Sequence, residues 1–149
     1  MKTFDPFNFL KNNETGFGLP YRAPEEAVDS WRKLAERIDK TLRGLGIPVA
    51  GISDEFHDVL RSGAVIRISQ MFPFGVSLYW EPPLFQADSY TSARRGNYGA
   101  GPHPLLSYAV NSSIIIVEAL CEMLARSGFR VMIEADGLEG RRNRILEAP

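Results

Sequence analysis

His57 and His103 are the only two imidazoles among the 149 residues. Imidazole titrates near neutral pH, so a pair of them can act as general base and general acid in metal-free phosphodiester cleavage. Arg94 or Arg95 would supply the cation for charge developing on the phosphorane. On that reading the chain is a metal-independent phosphodiesterase or ribonuclease. Nothing in the spacing brings His57 and His103 together, however, so the enzyme stands as the alternative.

Other chemistry is excluded more directly. Asp54, Glu55, His57 and Asp58 fall within five residues, but a hard cation needs several oxygens converging on one point. On a helix Asp54 and Asp58 share a face while Glu55 points elsewhere, which reads as a solvated acidic first turn. With one Cys, two His and no H-E-x-x-H pair, no Cys/His zinc site can form. No metal and no cofactor is expected. Cys121 sits within an apolar segment, where cysteine acts as a small buried hydrophobe, and no G-x-S-x-G elbow is present. The glycine-rich stretch Arg94–Gly101 matches neither phosphate-binding fingerprint. Its Gly96-x-x-Gly99 repeats the short glycine loop of KH domains without their flanking helices. No catalytic residue is assigned.

A binding protein accounts for the same residues without a catalytic set. Tyr90, Arg94, Arg95 and Tyr98 lie together on an irregular segment, and Tyr and Arg dominate interface hot spots. Asp54, Glu55 and Asp58 offer the opposite charge. Either patch can meet a complementary partner.

The elements that must carry these residues follow from periodicity. Residues 1–23 form an N-terminal arm holding Phe4, Phe7, Phe9, Phe17 and Tyr21, whose rings are expected to pack on the core. Ala27, Val28, Trp31, Leu34, Ala35, Ile38 and Leu42 make one helical stripe, predicting a helix over 24–43 closed by Gly44. Pro24 takes its first position. Pro48 and Gly51 mark a turn, and Ser53 caps a short helix over 54–61 with Phe56, Val59 and Leu60 inward. Alternation predicts strands near 64–70 and 75–80, paired antiparallel, and another near 129–135. Between them lie a Gly/Pro-rich loop over 81–104 and a helix over 112–127, capped by Asn111 or Ser112 and ended by Gly128. That helix is apolar nearly all round, so it is expected to be buried on most sides. The tail 136–149 is polar, with Arg141, Arg142 and Arg144. The expected fold is an α+β two-layer sandwich, a small antiparallel or mixed sheet packed by helices 24–43 and 112–127.

Composition agrees with one globular domain over 1–149, at 44% hydrophobic and 23% charged residues. A net charge of -1 argues against a generic nucleic-acid coat, so nucleic acid is not the expected partner. Asp5 and Pro6 interrupt the N-terminus before any signal-type apolar region, and the longest apolar run, Ile114–Val117, is too short to span a bilayer. With a single cysteine, a cytoplasmic location is expected. In size, single-domain α+β plan and lack of a catalytic motif the chain resembles bacterial toxin-immunity proteins, including those of contact-dependent growth inhibition. The resemblance implies a small inhibitor that binds and neutralises a cognate toxin. Nuclease inhibitors of this kind are often acidic; this chain is nearly neutral, which directs the expectation to other toxin types. A structural or assembly subunit is a further alternative.

If the 27–42 stripe is core, Trp31→Ala will lower unfolding stability by about 3–5 kcal/mol in a denaturant titration. A loss within experimental error would place the stripe on the surface.

Overall fold

The computed structural model describes residues 2–8, 21–83, 104–136 and 140–149. The stripe beginning at Ala27 lies on α1, Glu25–Gly44, and every member of it is buried, Trp31 to 1% exposure. Glu25 and Glu26 in its first turn and Arg43 in its last complement the helix dipole. Pro24 is the N-cap, one residue earlier than expected. The C-terminus closes when the Ile47 N–H donates to the Leu42 carbonyl and the Gly46 N–H to the Arg43 carbonyl, both at 3.0 Å. That closure needs a residue at positive φ, and it is Gly46, at +80°. Gly44, the expected terminator, is the last helical residue.

The second helix, α2, is Pro104–Arg126 and ends in the same way. Phe129 N–H donates to the Leu124 carbonyl at 3.0 Å and Gly128 N–H to the Ala125 carbonyl at 3.1 Å. Each closure turns the chain straight into an edge strand: α1 leads to β1, Val49–Ser53, and α2 to β4, Arg130–Asp136. With β2 (Gly63–Ser69), β3 (Gly75–Glu81) and β5 (Gly140–Glu147) they form one sheet of order β1-β2-β3-β5-β4. β1 and β2 are parallel and the other neighbours antiparallel. The fold is therefore α+β, with an open, mixed, five-stranded sheet.

Register decides the two faces. Ala64, Ile66 and Ile68 pair with Trp80, Leu78 and Val76 and point to the helices. There they join the α1 stripe, Leu120, Cys121 and Leu124 of α2, Phe129 and Ile145 in a single core. The intervening Arg67 and Ser69 pair with Ser77 and Gly75 on the opposite face.

Several expectations are corrected. The 54–61 segment is not helical. The Asp54 carboxylate instead accepts the Phe56 and His57 N–H groups, each at 2.8 Å, in a side-chain-closed turn. Ser53 caps nothing: it ends β1 and is buried. Phe56 and Leu60, expected inward, are exposed. Two strands replace a turn and a tail. β1 hides behind Gly51, which interrupts its apolar pattern. β5 reads as polar because its Asn143 and Arg144 are buried by backbone hydrogen bonding. α2 starts at Pro104 rather than near 112, so Asn111 and Ser112 are helical rather than caps. The arm docks through its main chain: Phe4 N–H donates to Ser30 Oγ at 3.1 Å and Trp31 Nε1–H to the Phe4 carbonyl at 2.9 Å. The Phe4 and Phe7 rings remain exposed, whereas Tyr21 stacks edge-on against Phe74. Phe9 and Phe17 lie outside the described residues.

The seam between β3 and β5 has one backbone pair, Val76↔Ile145. Next to it the Asn143 side chain stands in for a ladder. Its Oδ1 accepts the Leu78 N–H at 2.7 Å and its Nδ2 donates to the Leu78 carbonyl at 2.8 Å. Removing the amide leaves both Leu78 groups buried without partners, at about 1–3 kcal/mol each. Asn143→Ala should therefore lower stability by about 2–4 kcal/mol in urea unfolding, and Asn143→Asp by no less, since it loses the donor and buries a charge. A loss below about 0.5 kcal/mol would show that the seam does not depend on the amide.

Candidate functional site

α2 is the most apolar element of the chain, yet a two-layer domain can cover only one side of a helix. Ala109, Leu120, Cys121 and Leu124 face the core. Tyr108, Val110, Ile114 and Ile115 do not, and Tyr108 and Ile115 are each about two-thirds exposed. Ile133 of the adjoining edge strand β4, in register with Asn143 on the helix side, is exposed as well. The segment Ser107–Arg126 has the length and hydropathy of a membrane span, but only 22% of it is buried. Its C-terminal half belongs to the domain core through Leu120 and Leu124, so crossing a bilayer would dismantle that core. The expectation that this helix is buried on most sides, and that no segment is long and apolar enough to span, is corrected. Its cause is the position of α2 at the β4 edge, packed on β3 and β4 with no layer outside it among the described residues.

Beside this surface lies a cavity of about 190 Å³. It lies beside the β3–β5 seam at Asn143, and its walls are chiefly Leu78, Trp80, Ile114, Val117 and Ile133. Asn143 contributes a polar group to the lining, already committed to Leu78, and Glu118 contributes a carboxylate. Cys121 borders the same space, where burial, reinforced by the charge of Glu118, pushes its thiol up to about 11. Such a site can hold an apolar side chain or small apolar ligand; it holds no activated nucleophile.

The residues singled out from sequence are placed differently. Asp54 and His57 are partners in one turn, with Nδ1 of His57 at 3.2 Å from the carboxylate and the imidazole 81% exposed. Burial alone would raise the Asp54 carboxyl. The Phe56 N–H, then the ring and N–H of His57, outweigh it and hold the carboxyl below its ordinary value. Ionised Asp54 thus stabilises the turn above the usual carboxylate range, and that contribution is lost as pH falls through the lowered value. Glu55 turns inward, its Oε1 accepting the Gln70 N–H at 2.7 Å, while Asp58 is exposed. The three carboxylates therefore do not form one outward patch. Tyr90, Arg94, Arg95, Tyr98 and His103 lie outside the described residues. Among the described residues no group of three or more His, Cys, Asp or Glu is disposed to hold a metal ion.

Sequence reasoning missed the α2 surface although its signal was present. A helix apolar on every side exceeds what one sheet face can bury, and the surplus must be exposed or meet something else. No family model, curated protein or solved structure matches the chain.

Cys121 should resist alkylation in the native state. At pH 8 its thiolate fraction is about one in a thousand, so iodoacetamide labelling should run at least about 100-fold slower than for an unfolded control. Labelling at the unfolded rate would mean that the thiol is neither buried nor raised.

Proposed function

We propose that the chain is a protein-binding module of the immunity-inhibitor kind, and that it docks its partner through the exposed side of α2 and the adjoining cavity. The observation that carries this reading is an apolar helix that buries Leu120, Cys121 and Leu124 in the core while Tyr108, Val110, Ile114 and Ile115 are exposed. Each large apolar side chain kept in water forgoes about 1.5–3 kcal/mol that a partner can recover. Tyr108, Ile114 and Ile115 provide the flat part of such a surface, and the cavity provides a socket for one anchoring side chain. The partner that fits is a protein presenting an aromatic or large aliphatic side chain to the socket. Neutralising a cognate toxin in the cytoplasm is the form of this function that the chain's size and single-domain α+β plan favour. The acidic turn is not counted in this surface: Asp54 serves its own loop and Glu55 the neighbouring hairpin, which leaves Asp58 alone exposed.

Ile115→Arg and Val110→Arg place charge on exposed positions and should leave unfolding stability within about 0.5 kcal/mol of wild type. A host protein retained by immobilised wild type and weakened at least tenfold by either variant supports the reading. Rescue of cells expressing that protein by wild type, and not by the variants, establishes the inhibitor form. Equal retention by wild type and both variants overturns the α2 assignment. So does wild-type dimerisation abolished by Ile115→Arg, or selective binding to lipid vesicles, since either gives the face another occupant.

A further inference from the structure

The two edges of the sheet differ. β1, at one edge, has five residues, and its pairing with β2 shifts register between Val49 and Gly51. β4, at the other, has seven, with no Pro, Gly or Lys among them. Its pairing with β5 passes from Arg130↔Glu147 to Val131↔Ile145, so the extra residue, Leu146, is on β5 and β4 itself stays regular. Shortness, a bulge, a proline or a lysine usually keeps an edge from pairing with another chain. β1 is short and irregular; β4 has none of these guards.

Among the described residues β5 is the one strand paired with β4, so the outer N–H and C=O groups of β4 meet no strand. Met132 and Ile133 at its centre are on opposite faces, and both are exposed, at 40% and 45%. The corresponding neighbours inside the sheet, Val65 and Ile66 of β2, are both buried. The β4 edge thus leaves apolar area in water on both faces, together with main-chain groups.

The residues of β4 select what covers it. Laid antiparallel to itself about Met132, the segment Arg130–Glu134 sets Arg130 opposite Glu134 twice, Val131 opposite Ile133 twice, and Met132 opposite its own copy. Every pair joins opposite charges or two apolar residues. An axis at Ile133 instead sets Met132 opposite Glu134, and an axis at Glu134 brings two carboxylates together. Matched cross-strand pairs stabilise a sheet, and like charges directly opposite work against it. Arg130 is available for such a pair: its side chain is 61% exposed, and its contact with Glu147 is loose at 3.9 Å.

We propose that the chain forms a two-fold dimer in which β4 pairs with β4 of a second copy, antiparallel about Met132, so that two five-stranded sheets become one. Main-chain hydrogen bonds supply the affinity, and the charge pairs fix the register. A two-fold contact uses the same edge of both chains, so assembly closes at two. The edges left outside are both β1. The contact is separate from the α2 surface: it uses the outer edge of β4, and Tyr108 and Ile115 take no part in it.

Sedimentation of the full chain at about 100 μM tests the contact, and a particle of two chains is expected. Arg130→Glu sets carboxylates opposite each other at both ends of the pairing, and Glu134→Arg does the same with guanidinium groups. Each should weaken the dimer at least about tenfold. An equimolar mixture of the two variants sets carboxylate opposite guanidinium at both ends, and should restore a dimer, one chain of each, to within about threefold of wild type. Variants that failed to fold would not be rescued by mixing. A wild-type monomer, a dimer that neither variant weakens, or a mixture that restores nothing overturns the proposal. Ile115→Arg should leave the dimer intact; loss there, with both β4 variants unaffected, moves the contact to α2 and overturns it.

Discussion

The two hydrogen bonds between the Asn143 amide and the main chain of Leu78 join the halves of this domain. On one side α1 packs over β1, β2 and β3; on the other α2 packs over β3 and β4. The halves meet along β3 and β5, where a regular antiparallel ladder would have offered several backbone pairs and one is found. A side-chain amide offers one acceptor and two donors, so a single Asn can serve both main-chain groups of one facing residue. The apolar cavity under α2 borders this residue. The same substitution of side chain for backbone recurs one residue on, where Arg144 reaches the Phe74 carbonyl and anchors the β2–β3 turn.

Both faces of the sheet thus acquire their features from two consecutive residues of β5. Alternation sends Asn143 toward the helices and Arg144 to the other side. Asn143 borders the apolar cavity, and Arg144 lines a second one together with Arg67 and Arg142. Their burial is costly unless every polar atom is served, and the hydrogen bonds to Leu78, Phe74 and the Asn143 carbonyl meet that requirement. β5 therefore cannot slip in register without stranding a guanidinium and an amide in the interior.

What could be read from the sequence follows from this division. α1 was legible down to its stripe, because its buried and exposed sides differ sharply and Trp31, Ile38 and Leu42 repeat at helical spacing. β2 and β3 were legible because Ala64, Ile66 and Ile68 alternate with Val65, Arg67 and Ser69, and Val76, Leu78 and Trp80 with Ser77 and Tyr79. β5 was not, since its burial rests on specific polar contacts with residues 65 and 70 positions away, which no local pattern contains. The 54–61 segment misled for a related reason. A carboxylate followed by backbone donors is as good a turn as a helix start, and Asp54 closes the turn. The charged patches chosen from sequence were sought among irregular segments, whereas the arginines that converge stand on strands, brought together by register rather than by proximity along the chain.

The apolar and polar content of this protein is distributed against the usual rule. Its most hydrophobic helix keeps much of its surface in water, while one of its most polar strands supplies residues buried to 9% and 6% exposure. Either departure alone could be absorbed as a local cost. Together they work against folding twice, since apolar area is withheld from the core and polar groups are admitted near it. A sequence chosen for stability alone would exchange the two. Departures of this kind concentrate where a protein meets something else. The exposed side chains of α2 stand on the helix side of the sheet, and the row through Arg67 and Arg144 on the other. The chemistries are opposed, and the sheet keeps them apart by placing them on its two faces.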